Sequence, residues 1–181
     1  MSVDIAPVSK NRRRIKQIYF DSFPKKERMP FWMMCLMSKM KNTEFYSCSD
    51  NGQVCGFAYL AAIEKVTFIM FLAVDKTMRS KGYGSLILRE IQSRFPNNKI
   101  IVSIERCDKN AKNIQQRLRR KRFYQENGYL AAGYFVELSN VEQEIMIKNG
   151  EFDQKEFLRF FQKYSNGTMN PRIFKEEPQK G

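Results

Sequence analysis

The order of hydrophobic and polar positions along the chain predicts an alternation of helices and strands. Apolar side chains at Ile15, Ile18 and Tyr19 recur at helical spacing, and Pro24 ends that helix. Residues 66–74 are apolar at nearly every position, which is typical of a strand covered on both faces. The whole pattern predicts strands at 3–7, 44–50, 53–63, 66–74, 99–105, 129–138 and 141–148, and helices at 10–23, 30–40, 85–95, 111–127 and 154–164.

The turn after strand 66–74 is rich in glycine and positive charge. Its residues are Arg79, Ser80, Lys81, Gly82, Tyr83, Gly84 and Ser85. Glycine leaves the backbone accessible, and the helix that follows adds unpaired N–H groups and the positive end of its dipole. We therefore expect a phosphate-binding turn. It lacks the G-x-x-x-x-G-K-S/T and G-x-G-x-x-G patterns of nucleotide sites, and a turn without a ligand is the alternative.

Composition narrows the chemistry. The chain contains no histidine, which excludes an imidazole base, an imidazole metal ligand and the Ser/His and Cys/His catalytic pairs. Its four cysteines form no C-x-x-C pair, so no metal site is expected. Asn51-Gly52 predicts a hairpin turn that sets Cys48 opposite Cys55, and we expect both to be free thiols.

Length and charge set further limits. The 181 residues predict one domain, residues 1–165, followed by a mobile polar tail, residues 166–181. The sequence shows neither a secretory signal nor an apolar run of about 18 residues, so we expect a cytoplasmic protein without a membrane span. The net charge of +13 favours a polyanionic ligand, which could be a cofactor or nucleic acid.

Two motifs in this order resemble those of the GNAT superfamily of N-acetyltransferases. The first is Gln/Arg-x-x-Gly-x-Gly/Ala after an apolar strand, met at 79–84, and the second is Phe-Tyr-x-x-x-Gly-Tyr at 123–129. The resemblance implies an α/β fold with a mixed central sheet of six to seven strands, splayed between strands 4 and 5 and flanked by four to five helices. It also implies acetyl-CoA as acyl donor. Its pyrophosphate would lie on residues 79–85, and its pantetheine arm along the backbone of Leu72, Ala73 and Val74.

The resemblance also implies catalytic roles. Tyr124 matches the general acid that protonates the departing thiolate of coenzyme A, with a core aromatic residue as the alternative. Glu105 matches a glutamate base of some members, with a solvated strand-end carboxylate as the alternative. Glu27, Glu137 and Glu142 are less supported substitutes.

Two further sets of residues are candidates for binding. Helical spacing from Tyr124 places Arg117 and Asn113 on the same face, where we expect them to contact the cofactor. A solvated basic helix is the alternative for that face. Phe31 and Trp32 lie in the region that helps to wall the acceptor site in GNAT enzymes, and a purely structural core is the alternative for them.

Two functions therefore stay open. The first is an N-acetyltransferase, monomeric or homodimeric, which moves acetyl to a primary amine of a small molecule or peptide by direct attack. The second is a non-catalytic basic module of the same fold that binds nucleic acid through residues 12–14 and 117–122.

Overall fold

The computed structural model describes residues 3–138 and 140–175. The chain divides into two compact units. The first unit comprises Met1–Ala62 and Thr67–Pro96, and the second comprises Ile63–Val66 and Asn97–Gly181. No helix in the described ranges has both the length and the hydropathy needed to cross a membrane.

The first unit joins a run of antiparallel strands to three helices. Its elements are β1 (Asp4–Pro7), α1 (Arg12–Ser22), α2 (Phe31–Met37), β2 (Thr43–Asp50), β3 (Gln53–Ile63), β4 (Val66–Val74) and α3 (Tyr83–Arg94). The strand order is β1-β2-β3-β4. The predicted hairpin between β2 and β3 is present, and both of its turn residues, Asn51 and Gly52, have positive φ angles of 49° and 78°.

The pairing of β2 with β3 corrects one expectation. Cys48 lies opposite Gly56 rather than Cys55, because the register shifts between Cys48 and Ser49. A bulge of this kind inserts one extra residue into a strand, and Cys55 is that residue. Its thiol donates a hydrogen bond to the carbonyl of Cys48 at 3.2 Å. Both cysteines are buried free thiols.

An aromatic cluster forms the core of the first unit. Tyr19 of α1 lies between Phe57 of β3 and Phe71 of β4, with edge-to-face ring contacts at 6.1 Å and 5.2 Å. Its hydroxyl donates to the carbonyl of Met29 at 2.9 Å and accepts from the N–H of Met29 at 2.8 Å. Phe31 of α2 also packs against the ring of Tyr19. The cluster therefore holds both α1 and α2 in place.

The second unit contains four strands and two helices. They are β5 (Lys99–Glu105), α4 (Ile114–Glu126), β6 (Leu130–Leu138), β7 (Val141–Lys148), α5 (Gln154–Tyr164) and β8 (Arg172–Lys175). The strand order is β5-β7-β6-β8, and all three pairings are antiparallel. Helix α4 ends before Gly128, whose φ angle of 83° is the left-handed conformation expected at that position.

The described residues form eight strands, one more than the sequence predicts, and the additional strand is β8. It lies inside 166–181, the range expected to be a mobile tail, yet its four residues pair with β6. Phe174 stacks on Phe135 at a centroid distance of 5.7 Å, and Arg172 forms an ion pair with Glu137 at 2.5 Å. Residues 176–181 of the expected tail lie outside the described residues.

Candidate functional site

The loop between β4 and α3 begins with a buried carboxylate. Asp75 accepts hydrogen bonds from the backbone N–H of Thr77 at 3.0 Å and from its hydroxyl at 2.8 Å, and it forms an ion pair with Arg14 of α1. Burial alone would raise the pKa of Asp75, but these bonds and the guanidinium hold it below its usual value. Asp75 therefore stays ionised and fixes the point at which the loop leaves the strand.

The backbone of the loop then reverses at two positions. Ser80 and Gly82 have φ angles of 63° and 83°, both in the left-handed region. Gly82 is the N-cap of α3 and offers no side chain to cap the helix. A Cβ at Gly82 would meet no atom within 4 Å. Glycine is therefore favoured here by the backbone conformation and not by lack of space.

The N–H groups of this loop have no acceptor within the described part of the chain. The hydrogen bonds found there include none donated by the backbone of residues 79–85, and α3 begins with Leu86 donating to the carbonyl of Gly82 at 3.1 Å. Residues 79–82 are exposed. The N-terminus of α3 thus presents unpaired donors and a positive dipole end to solvent, and these groups fit a diphosphate.

Two side chains hold the loop in place. Arg79 donates from Nε to the carbonyl of Val74 at 3.2 Å and from Nη2 to Oγ of Ser22 at 3.3 Å. The hydroxyl of Tyr83 donates to Oδ2 of Asp50 at 2.6 Å, and this bond to a carboxylate raises the pKa of Tyr83 to about 12. The sequence carried no signal for Asp50, because the contact joins residues 33 positions apart.

The end of β4 lies unusually close to β3. Gly56 of β3 has no room for a side chain, since its Cβ would lie 2.5 Å from the carbonyl oxygen of Ala73 and 3.3 Å from Cα of Val74. Ala73 is buried, whereas Leu72 and Val74 are half-buried. Gly56 was not among the sequence candidates, and it sets the position of the strand end that the pantetheine arm is expected to follow.

Tyr124 lies in the second unit, near the end of α4. Only 8% of the residue is exposed, and its ring contacts those of Phe123 and Tyr129 at 5.1 Å and 5.4 Å. Burial raises the pKa of Tyr124, and the charge of Arg120 offsets part of that rise. Its hydroxyl forms no hydrogen bond with a described residue. The phenol therefore keeps its proton at neutral pH and has that proton to give.

Glu105 forms an ion-pair cluster with the same helix. Its Oε1 lies 3.2 Å from Arg117 and its Oε2 lies 3.7 Å from Arg120. Arg117 also donates to Oδ1 of Asn113 at 2.8 Å and to the carbonyl of Arg106 at 2.7 Å. The structure thus brings Glu105, the expected base, close to Arg117 and Asn113, the expected cofactor ligands. In the described chain these polar groups bind one another.

Comparison with known proteins identifies the family. Residues 41–130 match the model of the acetyltransferase (GNAT) domain. This domain of the chain belongs to the GNAT family of acetyltransferases. The family resemblance and the α/β fold expected from the sequence are confirmed. The GNAT chain is accordingly an acyltransferase, and acetyl-CoA is the acyl donor of this family. No curated protein sequence matches it.

Solved structures share the GNAT fold. A GNAT-family acetyltransferase from Bacteroides thetaiotaomicron is 16% identical, with 90% of this chain and 95% of that chain covered and a TM-score of 0.68. The ribosomal-protein-S18-alanine N-acetyltransferase of Escherichia coli is 13% identical, with 84% and 97% covered and a TM-score of 0.61. An aminoglycoside 6'-N-acetyltransferase complexed with coenzyme A is 11% identical, with 83% and 99% covered and a TM-score of 0.63.

A surface groove in the first unit of this GNAT protein contains both expected acceptor residues. We call it the α1–α2 groove. It has a volume of about 690 Å³ and is lined by Arg12, Arg13, Lys16, Phe20, Pro30, Phe31 and Trp32. Phe31 is buried in the aromatic core, as its structural alternative predicted, and also reaches the groove. Trp32 is 63% exposed. From the sequence, Arg12 and Arg13 were expected only as part of a nucleic-acid-binding face at residues 12–14.

The described residues contain no cluster of side chains that could bind a metal ion. Across residues 3–138 and 140–175, no three cysteine, aspartate or glutamate side chains lie close enough together to hold an ion.

Proposed function

We propose that this acetyltransferase moves an acetyl group from acetyl-CoA to a primary amine by direct attack of the amine. The observation that carries the proposal is the loop at 79–85, which is exposed at residues 79–82 and whose backbone N–H groups have no acceptor in the described chain. A loop packed shut, with its amides already bonded, would have excluded a diphosphate. The open loop adds the positive charges of Arg79 and Lys81 to its unpaired N–H groups and to the dipole of α3, so three kinds of attraction would act on one anion.

The proposed binding residues have distinct tasks. Residues 79–85 hold the pyrophosphate, and the backbone of Leu72, Ala73 and Val74 aligns the pantetheine arm. Asn113 and Arg117 are proposed as further contacts to the cofactor. When bound, acetyl-CoA supplies a thioester, whose C–S bond breaks as the bond from the amine nitrogen to the acetyl carbon forms.

Tyr124 is proposed as the general acid. A thiolate leaves more readily when it receives a proton, and a tyrosine whose pKa is raised by burial remains the protonated phenol at neutral pH. Because its hydroxyl has no partner among the described residues, no internal hydrogen bond must break before the proton is given. The products are then an amide and the free thiol of coenzyme A, which carries the proton from Tyr124.

Glu105 is proposed as the base. An aliphatic amine is mostly ammonium near neutral pH and must lose a proton before it attacks. The chain has no histidine, which leaves a carboxylate, acting through water, as the natural acceptor. Both oxygens of Glu105 are in ion pairs, but each retains a second lone pair. These ion pairs also give Glu105 a structural task, and the two roles can be separated by experiment.

The first test is binding of free coenzyme A. Ligand at about 100 times its dissociation constant stabilises a folded protein by about 2.7 kcal/mol, which corresponds to a rise in Tm of roughly 5–11 °C for a chain of this size. We expect such a rise at moderate salt. No shift at millimolar coenzyme A would overturn the proposal. The acceptor class then follows from a panel of amines assayed for release of the free thiol.

A further inference from the structure

The α1–α2 groove has a basic wall without internal counter-charges. Arg12, Arg13 and Lys16 are all exposed. The ion pairs that α1 makes with described residues involve Arg14 and Asp21 instead. Arg12, Arg13 and Lys16 line the groove without an ion pair to any described carboxylate, so an anionic ligand would find charge complementarity there.

The groove also contains exposed apolar side chains. Among the described residues, six large hydrophobic side chains are exposed, and two of them, Phe20 at 41% and Trp32 at 63%, line the groove. Leu36 at 57% and Met40 at 42% are exposed further along the chain from Trp32. Trp32 and Leu36 are one helical turn apart, and Met40 follows in the next turn of the chain. A concentration of exposed apolar side chains on one face marks a surface that another molecule covers.

We propose that the α1–α2 groove binds an acidic polypeptide segment that presents the acceptor amine. This inference rests on the function proposed above and names the substrate class of that enzyme. Carboxylates of the segment would pair with Arg12, Arg13 and Lys16, and its apolar side chains would cover Phe20 and Trp32. The amine nitrogen loses one proton and gains the acetyl group, while the thiol sulfur gains one proton, so no further reactant is needed.

Polypeptide fits the surface better than the other polyanions. It supplies carboxylates, apolar side chains and an aliphatic amine in one molecule. RNA offers phosphates for the basic wall and bases for Trp32, but its base amino groups are conjugated to the rings and are poor nucleophiles. Leu36 and Met40 offer no ring on which a base could stack. The net charge of +13 also steers acidic segments toward the protein.

The chain carries its own reporter for this surface. Trp32 is its single tryptophan, so intrinsic tryptophan fluorescence reports on the groove alone. We would titrate the full chain with two peptides of equal length and equal apolar content, one rich in Asp and Glu and the other rich in Lys. We expect the acidic peptide to shift the Trp32 emission and to bind about tenfold more tightly, with affinity that falls as salt rises.

A matched pair of double variants tests the basic wall. Arg12→Glu with Lys16→Glu reverses two exposed cations one turn apart on α1, and Lys155→Glu with Arg159→Glu does the same on α5. Each reversal removes two charge units, so each variant carries +13 − 4 = +9. We expect the α1 variant to lose about tenfold in affinity and in kcat/KM for the acidic peptide. We expect the affinity and kcat/KM of the α5 variant to stay within about twofold of the wild-type values, because salt screens the effect of net charge at a distance from the groove.

The outcomes separate this inference from the function on which it rests. If coenzyme A raises Tm but the two peptides bind equally, or if both double variants lose the same affinity, the acidic-segment proposal is wrong and the acetyltransferase proposal stands. Tighter binding of an oligonucleotide than of an acidic peptide with the same charge also overturns it. If coenzyme A gives no shift, the proposed function itself fails.

Discussion

Tyr124 and Tyr129 form a natural matched pair for testing the general acid. Both are buried and their rings touch. The buried hydroxyl of Tyr129 has no hydrogen-bond partner in the described chain, and the hydrogen bonds found there include none made by the hydroxyl of Tyr124. Burial raises the pKa of each. Replacing either by phenylalanine removes one oxygen atom and leaves the packing of the rings intact. Only Tyr124 has the proposed catalytic role, so Tyr129→Phe controls for the loss of a buried phenol.

The structure fixes the magnitudes to expect. A positioned general acid contributes about 10²–10⁴-fold to a rate, so Tyr124→Phe should lower kcat at least about 100-fold, which is about 2.7 kcal/mol in the activation barrier. Removing an unpaired buried hydroxyl breaks no bond and removes a desolvation cost. The unfolding free energy of either variant should therefore stay within about 1 kcal/mol of wild type, or about 4 °C in Tm.

The assay follows thiol release at saturating acetyl-CoA, with the best amine of the panel as acceptor. Tyr124→Phe should lower kcat and leave KM for acetyl-CoA nearly unchanged. Because its pKa is raised, Tyr124 keeps its proton through the neutral range, and wild-type kcat should fall only above about pH 10, a limb that the variant lacks. Equal kcat values for Tyr124→Phe and Tyr129→Phe would remove Tyr124 from the mechanism.

Three further substitutions test the loop and the ion pairs. Gly82→Ala should cost about 1–2 kcal/mol of stability, because it forces a side chain into the left-handed region, and it should raise KM for acetyl-CoA. Asparagine tolerates that conformation, so Gly82→Asn should restore most of the stability and most of the affinity for acetyl-CoA. The pKa of Asp75 is lowered in the folded protein. Asp75 therefore contributes its full stability above the pKa of an unfolded carboxyl group, and that stability is lost as pH falls through the lower, folded-state pKa. Asp75→Asn should flatten the dependence of Tm on pH between about pH 5 and 2. Glu105→Gln leaves two guanidinium groups without their carboxylate, so it should cost about 3 kcal/mol of stability and should also lower kcat/KM. A fall in Tm with unchanged kcat/KM at every pH would assign Glu105 a structural role only.

The features predicted correctly from the sequence depend on short-range rules. The Asn51-Gly52 turn and the end of helix α4 before Gly128 were expected because each needs only a few neighbouring residues to define its backbone. The long-range contacts were not expected. Asp50 with Tyr83 and Asp75 with Arg14 join residues 33 and 61 positions apart, and nothing in either local sequence indicates its partner.

Periodicity did not predict two features. Alternation through the β2–β3 hairpin predicted Cys48 opposite Cys55, but a bulge displaced the pairing by one residue, and a bulge adds no distinct residue type. Phe31 and Trp32 were expected together, either as acceptor contacts or as structural core, yet Phe31 is buried and Trp32 is 63% exposed. A helix cannot bury two faces against one core.

The sequence by itself determined the family, the order of helices and strands, and the glycine-rich loop at the start of α3, because these follow from backbone preferences and the spacing of nearby side chains. Tertiary structure alone decided that the loop amides stay open, that Glu105 is held by two arginines, and that three cations and an exposed tryptophan line one groove. Those outcomes depend on which distant side chains meet once the core has packed, and competition among many possible partners has no local signature in a sequence.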